Sequence, residues 1–227
     1  MADSLGDRMK GNYEKRFEYK LVRRLPVIVR LDGRSFHSIK CEKPFDVRMS
    51  QCMEDTTKYL LEEMQGAKCA YTQSDEISVC LVDYDTISTQ AWFDYDLQKL
   101  VSISAALASV HFSNINPFQS AAQFDARAFN IPLDEVANYF VWRQKDWIRN
   151  SVEALAQSHF SAKQLMNKGQ PEMHDMLHEK GVNWADLPSR FKNGVYLFRS
   201  DVGIVSRDDV IFTEDRGIVE AFLQRQD

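Results

Sequence analysis

Residues 26–31, Pro-Val-Ile-Val-Arg-Leu, form a short β-branched run that stops at Asp32 and Gly33. Such a run is typical of a buried strand, and a glycine directly after it permits the turn that ends the strand. Asp32 therefore lies at the carboxyl end of the strand. The sequence predicts a sheet that carries an acidic group at one of its ends.

A second acidic site follows further along the chain. Residues 69–72 and 77–82 are strand-like, and only the polar residues 73–76 (Gln-Ser-Asp-Glu) separate them. A separation this short predicts a β-hairpin with carboxylates at its tip. If the strands are neighbours in one sheet, Asp32 approaches this tip.

Two helices are predicted around the hairpin. The first begins at Asp46, which is a suitable N-cap, and stops at Gly66. The second covers residues 97–112, and residues 124–129 then read as a further strand. The order β-α-β-β-α-β predicts an α+β fold: a split βαβ, ferredoxin-like antiparallel sheet with helices on one face.

The remainder of the chain is predicted to be a helical extension with small strands. The expected helices are residues 134–160 and 161–169, and the expected strands are residues 195–198 and 210–212. We therefore divide the chain into a catalytic core, residues 1–132, and an extension, residues 133–227, which together form one continuous domain.

The net charge of −5 argues against a protein that coats nucleic acid, but the charge is unevenly distributed. Residues 1–34 hold nine Lys or Arg against five Asp or Glu, whereas residues 42–96 hold four against twelve. Residues 143–192 hold eight against six. Basic segments therefore flank an acidic centre, although solvated helix faces of either sign would give similar counts.

The cysteine pattern and the hydropathy pattern both favour the cytoplasm. The four cysteines show no CxxC spacing, and the first 20 residues lack the apolar stretch of a signal peptide. No run of about 18 apolar residues occurs, which argues against a membrane span. We expect reduced thiols and no membrane partner.

The two acidic sites suit a divalent cation. Carboxylate oxygens are ligands for Mg²⁺, which usually takes one or two of them and completes its shell with water and substrate phosphates. Two such ions can assist a phosphoryl displacement by acting on the attacking and the leaving oxygens. Acidic turns are also common without any metal, so the spacing of Asp32 and Asp75 leaves both interpretations open.

The residues around Asp32 are typical of a phosphate-binding turn. Residues 32–37, Asp-Gly-Arg-Ser-Phe-His, offer backbone N–H groups that can cradle an anion. Arg34, Lys43 and Arg30 are candidates for neutralising a triphosphate. Phe36 either stacks on a base or packs into the core.

Five blocks in this order resemble the signature motifs of the tRNA-histidine guanylyltransferase superfamily. They are residues 29–37, 43–44, 73–76, 124–127 and 142–146. The resemblance extends over essentially the whole chain. It implies a palm-like catalytic domain that adds nucleotides to the 5′ end of tRNA in the 3′-to-5′ direction.

The resemblance also implies the chemistry. ATP, or GTP where the end already carries a triphosphate, activates the tRNA 5′ end, and the 3′-hydroxyl of an incoming GTP then attacks it and expels AMP or pyrophosphate. Asp32 and Asp75, with the carbonyl of Gly33, match positions that hold two Mg²⁺ ions, and Glu76 matches a position needed for activity.

The catalytic candidates are accordingly Asp32, Asp75 and Glu76. The candidate nucleotide contacts, from the residues and the resemblance together, are Asp32, Gly33, Arg34, Ser35, Phe36, His37, Lys43, Ser74 and Asp75.

One departure from the family narrows the expected activity. The eukaryotic histidine-tRNA enzymes carry His-Ile-Asn-Asn after the Trp-Arg-Gln block, whereas residues 148–151 are Ile-Arg-Asn-Ser and retain only Asn150. The chain is in this respect similar to the Thg1-like proteins of bacteria, archaea and their viruses, which repair 5′-truncated tRNAs by templated addition. Addition of a single G to tRNA-His is the alternative.

Contacts to tRNA are expected from the basic segment near residues 143–192. The candidates are Arg143, Lys145, Arg149, Asn150 and Lys192, with Lys180 and Arg190 as further basic residues. Each of these charges is equally well explained as part of a solvated helix face.

Two other functions remain open from the sequence. A palm-fold nucleotide cyclase would consume ATP or GTP without RNA, and an inactive tRNA-binding module would keep the fold without chemistry. The second has no chemical need for the three carboxylates. The resemblance further implies a homotetramer.

Overall fold

The computed structural model describes residues 4–224, which contain one six-stranded sheet of order β4-β1-β3-β2-β5-β6, antiparallel throughout. The strands are β1 (Val27–Gly33), β2 (Ala67–Gln73), β3 (Glu76–Leu81), β4 (Phe124–Asn130), β5 (Val195–Ser200) and β6 (Gly203–Arg207). Because β5 pairs with β2, the sheet continues from the expected core into the expected extension. The outermost ends of those two segments, residues 1–3 and 225–227, lie outside the described residues.

Eight α-helices accompany the sheet in the described part of the chain. They are α1 (Leu5–Asn12), α2 (Val47–Glu63), α3 (Leu97–Ile115), α4 (Val136–His159), α5 (Ala162–Leu165), α6 (Gln170–Glu179), α7 (Ser189–Asn193) and α8 (Gly217–Glu220). The predicted order β-α-β-β-α-β corresponds to β1-α2-β2-β3-α3-β4, so the α+β, palm-like arrangement expected from the sequence is confirmed.

The two faces of the sheet are covered by different helices because strand side chains alternate between faces. Val27, Val29 and Leu31 of β1 belong to the apolar cluster that includes α2 and α3, the pair of helices on one face. Ile28 belongs instead to a cluster with Phe140 and its neighbours on α4. The helical extension therefore buries the second face, and Arg30 and Asp32 share the face of Ile28.

Helix α2 follows the sequence signals at both ends. The Asp46 side chain accepts a hydrogen bond from the N–H of Arg48, as expected of an N-cap. After the helix, Gly66 has a φ of +81°, and a Cβ there would lie 2.4 Å from the carbonyl oxygen of Val82. Only glycine fits this turn, which leads the chain directly into β2.

The prediction of a strand at residues 210–212 is wrong. Val210 and Phe212 are buried, but the polar atoms of their backbone bond to the Gln144 side chain of α4 rather than to a strand. The last strand is β6 instead, paired with β5 through a short turn.

Helices α1 and α6 were not predicted from the sequence. Each begins with a local capping signal: the Ser4 hydroxyl accepts from the N–H of Asp7, and the Glu172 carboxylate accepts from the N–H of Gly169. Within residues 4–224, no helix combines the length and the apolar composition needed to cross a bilayer.

Candidate active site

The β2–β3 hairpin has a two-residue turn, Ser74-Asp75, in which Ser74 adopts a φ of +49°. Strand β3 pairs with β1 so that Glu76 lies opposite Asp32. Beyond that pair, the N–H of Gly33 donates to the carbonyl of Asp75 at 2.9 Å. The tip of the hairpin is thus held against the carboxyl end of β1, as the sequence predicts.

Asp32 and Asp75 line one cavity of about 390 Å³ on the α4 side of the hairpin. Burial raises the pKa of the Asp75 carboxyl above its ordinary value, and the charges of Asp32 and Glu76 raise it further. A bound cation would relieve this repulsion. The pair of carboxylates is therefore electrostatically suited to a metal ion.

Glu76 has a different environment from its neighbour Asp75. Only 4% of Glu76 is exposed, and its two carboxylate oxygens accept from Nε and Nη2 of Arg143 at 2.6 and 2.8 Å. An Nη2 of Arg30 lies 2.5 Å from the same carboxylate. Both oxygens of Glu76 are therefore engaged by guanidinium groups.

Arg143, one of the candidate tRNA contacts, is buried and bonded within the protein. The residue is 4% exposed and its guanidinium bonds to Glu76 and, at 3.1 Å, to Asp146. An arginine in an exposed helix face would be free to meet a phosphate, but α4 turns this one toward the sheet. The sequence shows only its charge, which fits both situations.

The loop after β1 is shaped by Gly33 and Phe36. A Cβ on Gly33 would lie 2.5 Å from the Phe36 ring, which packs at 5.1 Å from both Phe112 and Phe124. Of the two expectations for Phe36, the structure shows packing into the core, with the ring also lining a cavity. The close approach of this ring explains the glycine.

Two loop residues lie apart from the carboxylates. Arg34 and Ser35 are exposed and line a separate cavity of about 290 Å³ beside residues 120–123. The N–H of Arg34 donates to the carbonyl of Gln123 at 2.7 Å. The residues of the expected phosphate-binding loop therefore lie on two sides of Phe36: Arg34 and Ser35 line one cavity, and His37 lines another.

A further cavity of about 270 Å³ lies on the other side of the hairpin tip. Its rim includes the expected residues His37, Lys43, Ser74 and Asp75. Polar residues also line it, but one part of its wall is apolar or aromatic and includes a cation: Phe36, Phe45, Met49, Met53, Trp147, Arg190 and Phe191.

The aromatic wall of this cavity was missed by the sequence interpretation. Phe45 and Phe191 stack with centroids 4.9 Å apart and planes at 13°, and Trp147 meets Phe45 edge-on at 6.3 Å. Phe45 directly follows the Lys43-Pro44 block, which was the one available signal. Phe191 and Trp147 come from distant segments that only packing brings here.

Asp46 also borders this cavity. Its carboxylate accepts from the Arg48 guanidinium at 2.7 and 3.1 Å and from the N–H groups of Glu42 and Arg48. These bonds, that of the Arg48 side chain foremost, hold the pKa of Asp46 well below its usual range. Asp46 is thus a fixed negative charge where α2 begins.

The remaining tRNA candidates are scattered. Lys145, Arg149 and Asn150 are exposed on α4, where Arg149 forms an ion pair with Asp146. Asn150 lines the carboxylate cavity. Lys192 lies elsewhere, half-buried, and donates to the carbonyl of Ala185.

The two further basic residues are also engaged within the protein. Lys180 donates to the carbonyl of His159, and Arg190 pairs with Glu54 at 2.8 Å. Asn150 lines the carboxylate cavity and Arg190 lines the cavity of about 270 Å³ described above.

The oxygen donors of this site suit Mg²⁺ better than they suit a metal ion whose ligands all come from the protein. Among residues 4–224, no group of three or more His, Cys, Asp or Glu side chains is arranged to hold a metal ion. Two carboxylates and a nearby backbone carbonyl are sufficient for Mg²⁺, which retains water and substrate phosphates in its shell. Glu76 is excluded from this set by its guanidinium partners.

Comparisons with known proteins identify a family and solved structures of the same fold. The family model of Thg1, tRNA(His) guanylyltransferase, matches residues 6–132. A bacterial tRNA(His) guanylyltransferase (Thg1)-like protein in complex with ATP superposes with a TM-score of 0.93 at 42% identity, over 97% of this chain and 99% of that one.

Two further relatives extend the similarity. A bacterial Thg1-like protein in complex with GTP superposes with a TM-score of 0.83 at 38% identity, covering 97% and 99% of the two chains. The tRNA(His) guanylyltransferase of Debaryomyces hansenii is 27% identical over 82% of this chain and 79% of its own length.

Proposed function

This chain belongs to the Thg1 family of tRNA(His) guanylyltransferases, which are nucleotidyltransferases, and we propose that it extends the 5′ end of tRNA in the 3′-to-5′ direction with Mg²⁺. The observation that carries the proposal is that Asp32, at the end of β1, and Asp75, in the β2–β3 turn, line one cavity beside a second cavity with an aromatic wall.

Asp32, Asp75 and the Gly33 carbonyl are the groups that would hold the two Mg²⁺ ions. Bound there, the metal supplies charge neutralisation at the triphosphate and activation of the attacking oxygen. The raised pKa of Asp75 supports this assignment, because burial and, after it, the charge of Asp32 disfavour the ionised carboxyl, and a bound cation would offset both.

The cavity of about 270 Å³ is suited to the nucleotide base. The Phe45–Phe191 stack and Trp147 provide an apolar wall for the base. Lys43, His37 and Asp75 line the same cavity, so we propose that the triphosphate extends from the base past Lys43 and His37 toward Asp75. The ATP and GTP complexes of the bacterial relatives support nucleotide binding by this fold.

The proposed reaction has two displacements at phosphorus. An oxygen of the tRNA 5′-phosphate attacks the α-phosphorus of ATP and expels pyrophosphate, which leaves an adenylylated 5′ end. The 3′-hydroxyl of GTP then attacks the 5′-phosphorus of the tRNA, loses its proton and expels AMP. The protein contributes positioning and fixed charge, which are the main requirements of phosphoryl transfer.

We propose templated repair of 5′-truncated tRNA rather than the addition of one G to tRNA-His. At the position of the eukaryotic motif, Asn150 lines the carboxylate cavity and Arg149 is held in an ion pair with Asp146. Ile148 and Ser151 replace the other polar residues of that motif.

The decisive experiment is an extension assay with a 5′-truncated, 5′-phosphorylated tRNA, ATP, GTP, CTP and Mg²⁺. We expect a longer product whose new 5′ sequence complements the opposite strand of the acceptor stem. Asp75→Asn should lower the rate on the order of 10²-fold or more. Asp55→Asn, on an exposed part of α2, is the matched control and should extend normally.

Two results would contradict this proposal. Turnover of ATP or GTP that does not depend on RNA would favour a cyclase-like enzyme, and extension that persists in Asp75→Asn would exclude the carboxylate site. A single untemplated G would support the alternative, histidine-tRNA maturation.

Self-association into a homotetramer is also part of the proposal. Helix α1 has no buried residue, and its apolar side chains Leu5 and Met9 are 66% and 50% exposed. A short helix without packing is marginal in water, so a second copy is a suitable cover for it. The cytoplasmic location expected from the sequence stays a prediction.

A further inference from the structure

Glu76 is the centre of a buried charge cluster that links α4 to the hairpin. Arg143 binds its carboxylate with two nitrogens, at 2.6 and 2.8 Å, and Arg30 of β1 binds it at 2.5 Å. Arg143 then bonds to Asp146, which pairs with Arg149 at the helix surface. The cluster joins β1, β3 and α4 at the end of the sheet where Asp32 lies.

Arg143 is itself held firmly. The Trp142 ring lies 4.6 Å from its guanidinium carbon, and the next residue, Gln144, bonds to backbone atoms of Asn193, Val210 and Phe212. Helix α4 therefore cannot shift without breaking several buried contacts. Arg143 is a fixed support rather than a mobile side chain.

The charge balance explains why the hairpin tip needs such a support. Asp32, Asp75 and Glu76 place three carboxylates around one turn: Glu76 lies opposite Asp32 in the β1–β3 pair, and Asp32 and Asp75 line one cavity. The two guanidinium groups neutralise Glu76, whereas the carboxylates of Asp32 and Asp75 remain together in one cavity. The turn is held in place against that remaining repulsion.

We propose that Arg143 is a positioning residue for the reaction: through its two-pronged bond to Glu76 it holds the Ser74–Asp75 turn against β1, so that Asp75 stays beside Asp32. This inference rests on the proposed function for its consequence in catalysis. The structural part of the inference, that Arg143 holds the turn in place, depends only on the contacts described above.

Hydrogen exchange gives a direct measurement of this support. The N–H of Gly33 donates to the carbonyl of Asp75, so its protection reports whether the turn lies against β1. The exchange of Gly33 should be measured by NMR on the whole protein without nucleotide, tRNA or Mg²⁺. In Arg143→Gln we expect it to be about tenfold faster or more, since a charged bond to Glu76 is lost.

Arg143→Lys keeps the charge but not the two-pronged geometry. We expect an intermediate exchange rate at Gly33, and this variant carries the test if Arg143→Gln does not fold. Glu76 and Arg143 act through the same bond. In the double variant Glu76→Gln with Arg143→Gln, the exchange rate at Gly33 should therefore be little higher than in either single variant.

Lys68→Gln is the matched control. It removes the Lys68–Asp85 ion pair, which is also partly buried and 2.5 Å long but involves the opposite end of β2. The Gly33 exchange rate should stay unchanged in this variant. Unchanged exchange in both Arg143 variants would overturn the inference.

Steady-state kinetics distinguish a positioning role of Arg143 from a direct contact with the tRNA substrate. In the extension assay, Arg143→Gln should lower kcat and raise the Mg²⁺ concentration for half-maximal rate, with KM for tRNA unchanged. A raised KM for tRNA at unchanged kcat would make Arg143 a phosphate contact and contradict the inference. If the native protein extends no tRNA, the proposed function fails while the exchange result still decides the role of Arg143.

Discussion

At the scale of single residues, Asp75 and Glu76 show how two adjacent carboxylates acquire different properties. Strand alternation and a turn separate them, so Glu76 points to α4 and two guanidinium groups, whereas Asp75 stays half-buried beside Asp32. Glu76 is neutralised and Asp75 is not. Both side chains are carboxylates, so the residue types alone do not predict that one is neutralised by arginines and the other is not.

The raised pKa of Asp75 leads to a prediction about stability. A carboxyl whose pKa is raised on folding binds its proton more tightly in the folded state, so the metal-free protein loses stability as pH rises through that range. Asp75→Asn should therefore raise Tm at pH 8 in EDTA; at this chain length, each kcal/mol gained corresponds to about 2–4 °C.

Calorimetry between pH 8 and pH 4.5 checks the sign of this effect. The gain should shrink toward the acidic end, because the raised pKa lets a growing fraction of native Asp75 bind a proton there. A Tm of Asp75→Asn that lies below the native one at pH 8 would contradict the argument. Asp55→Asn serves as the control and should show no such trend.

Gly33 gives a second prediction at this scale. In Gly33→Ala the new Cβ would overlap the Phe36 ring, so the ring must leave its place between Phe112 and Phe124. We expect a loss of about 1–3 kcal/mol in the free energy of unfolding, measured with urea. Gly11→Ala, where no atom lies within 4 Å, should cost nothing.

At the scale of elements, α4 assigns a different task to each residue of the Trp-Arg-Gln block. Trp142 is 53% exposed, Arg143 turns to the hairpin, and Gln144 is buried against the chain after β6. One helical turn thus connects the surface, the active site and the C-terminal segment. Such a division follows from the roughly 100° rotation between successive helix residues.

Gln144 should therefore be structurally important. Gln144→Leu would leave the buried N–H of Phe212 and the carbonyl of Val210 without their partners. We expect a loss of about 2–4 kcal/mol in the free energy of unfolding, because each unsatisfied buried group costs about 1–3 kcal/mol. Gln157→Leu, at an exposed position of the same helix, is the control, and an equal loss in both variants would refute the explanation.

At the scale of the whole molecule, the proposed function accounts for the acidic centre, and the proposed self-association accounts for the unpacked N-terminal helix. Part of the negative charge of residues 42–96 is concentrated at Asp75 and Glu76, beside the proposed metal ions. The exposed apolar side chains of α1 lie outside the core and are the basis of the proposed self-association.

Light scattering tests the assembly. The native protein should have a mass near four times 26.3 kDa at micromolar concentration. Met9→Lys should lower that mass, because it places a charge on the apolar side of α1. Ile87→Lys, at an isolated side chain that is 94% exposed, should leave it unchanged. A native mass of one chain would refute the tetramer.

The sequence alone determined the order of the elements from β1 to β4, the hairpin at Ser74-Asp75, the approach of Asp32 to its tip and the family. These features depend on local chemistry: β-branched runs, caps, a glycine after a strand and a short polar turn all act over a few residues.

The tertiary structure decided which charges meet. The Glu76–Arg143 pair joins residues 67 positions apart, and the Phe45–Phe191 stack and the burial of residues 210–212 likewise depend on distant segments. An arginine has the same local signature in a solvated helix face as in a buried ion pair. Packing of α4 against the sheet removes water from one arginine and leaves another exposed, and this desolvation decides their roles.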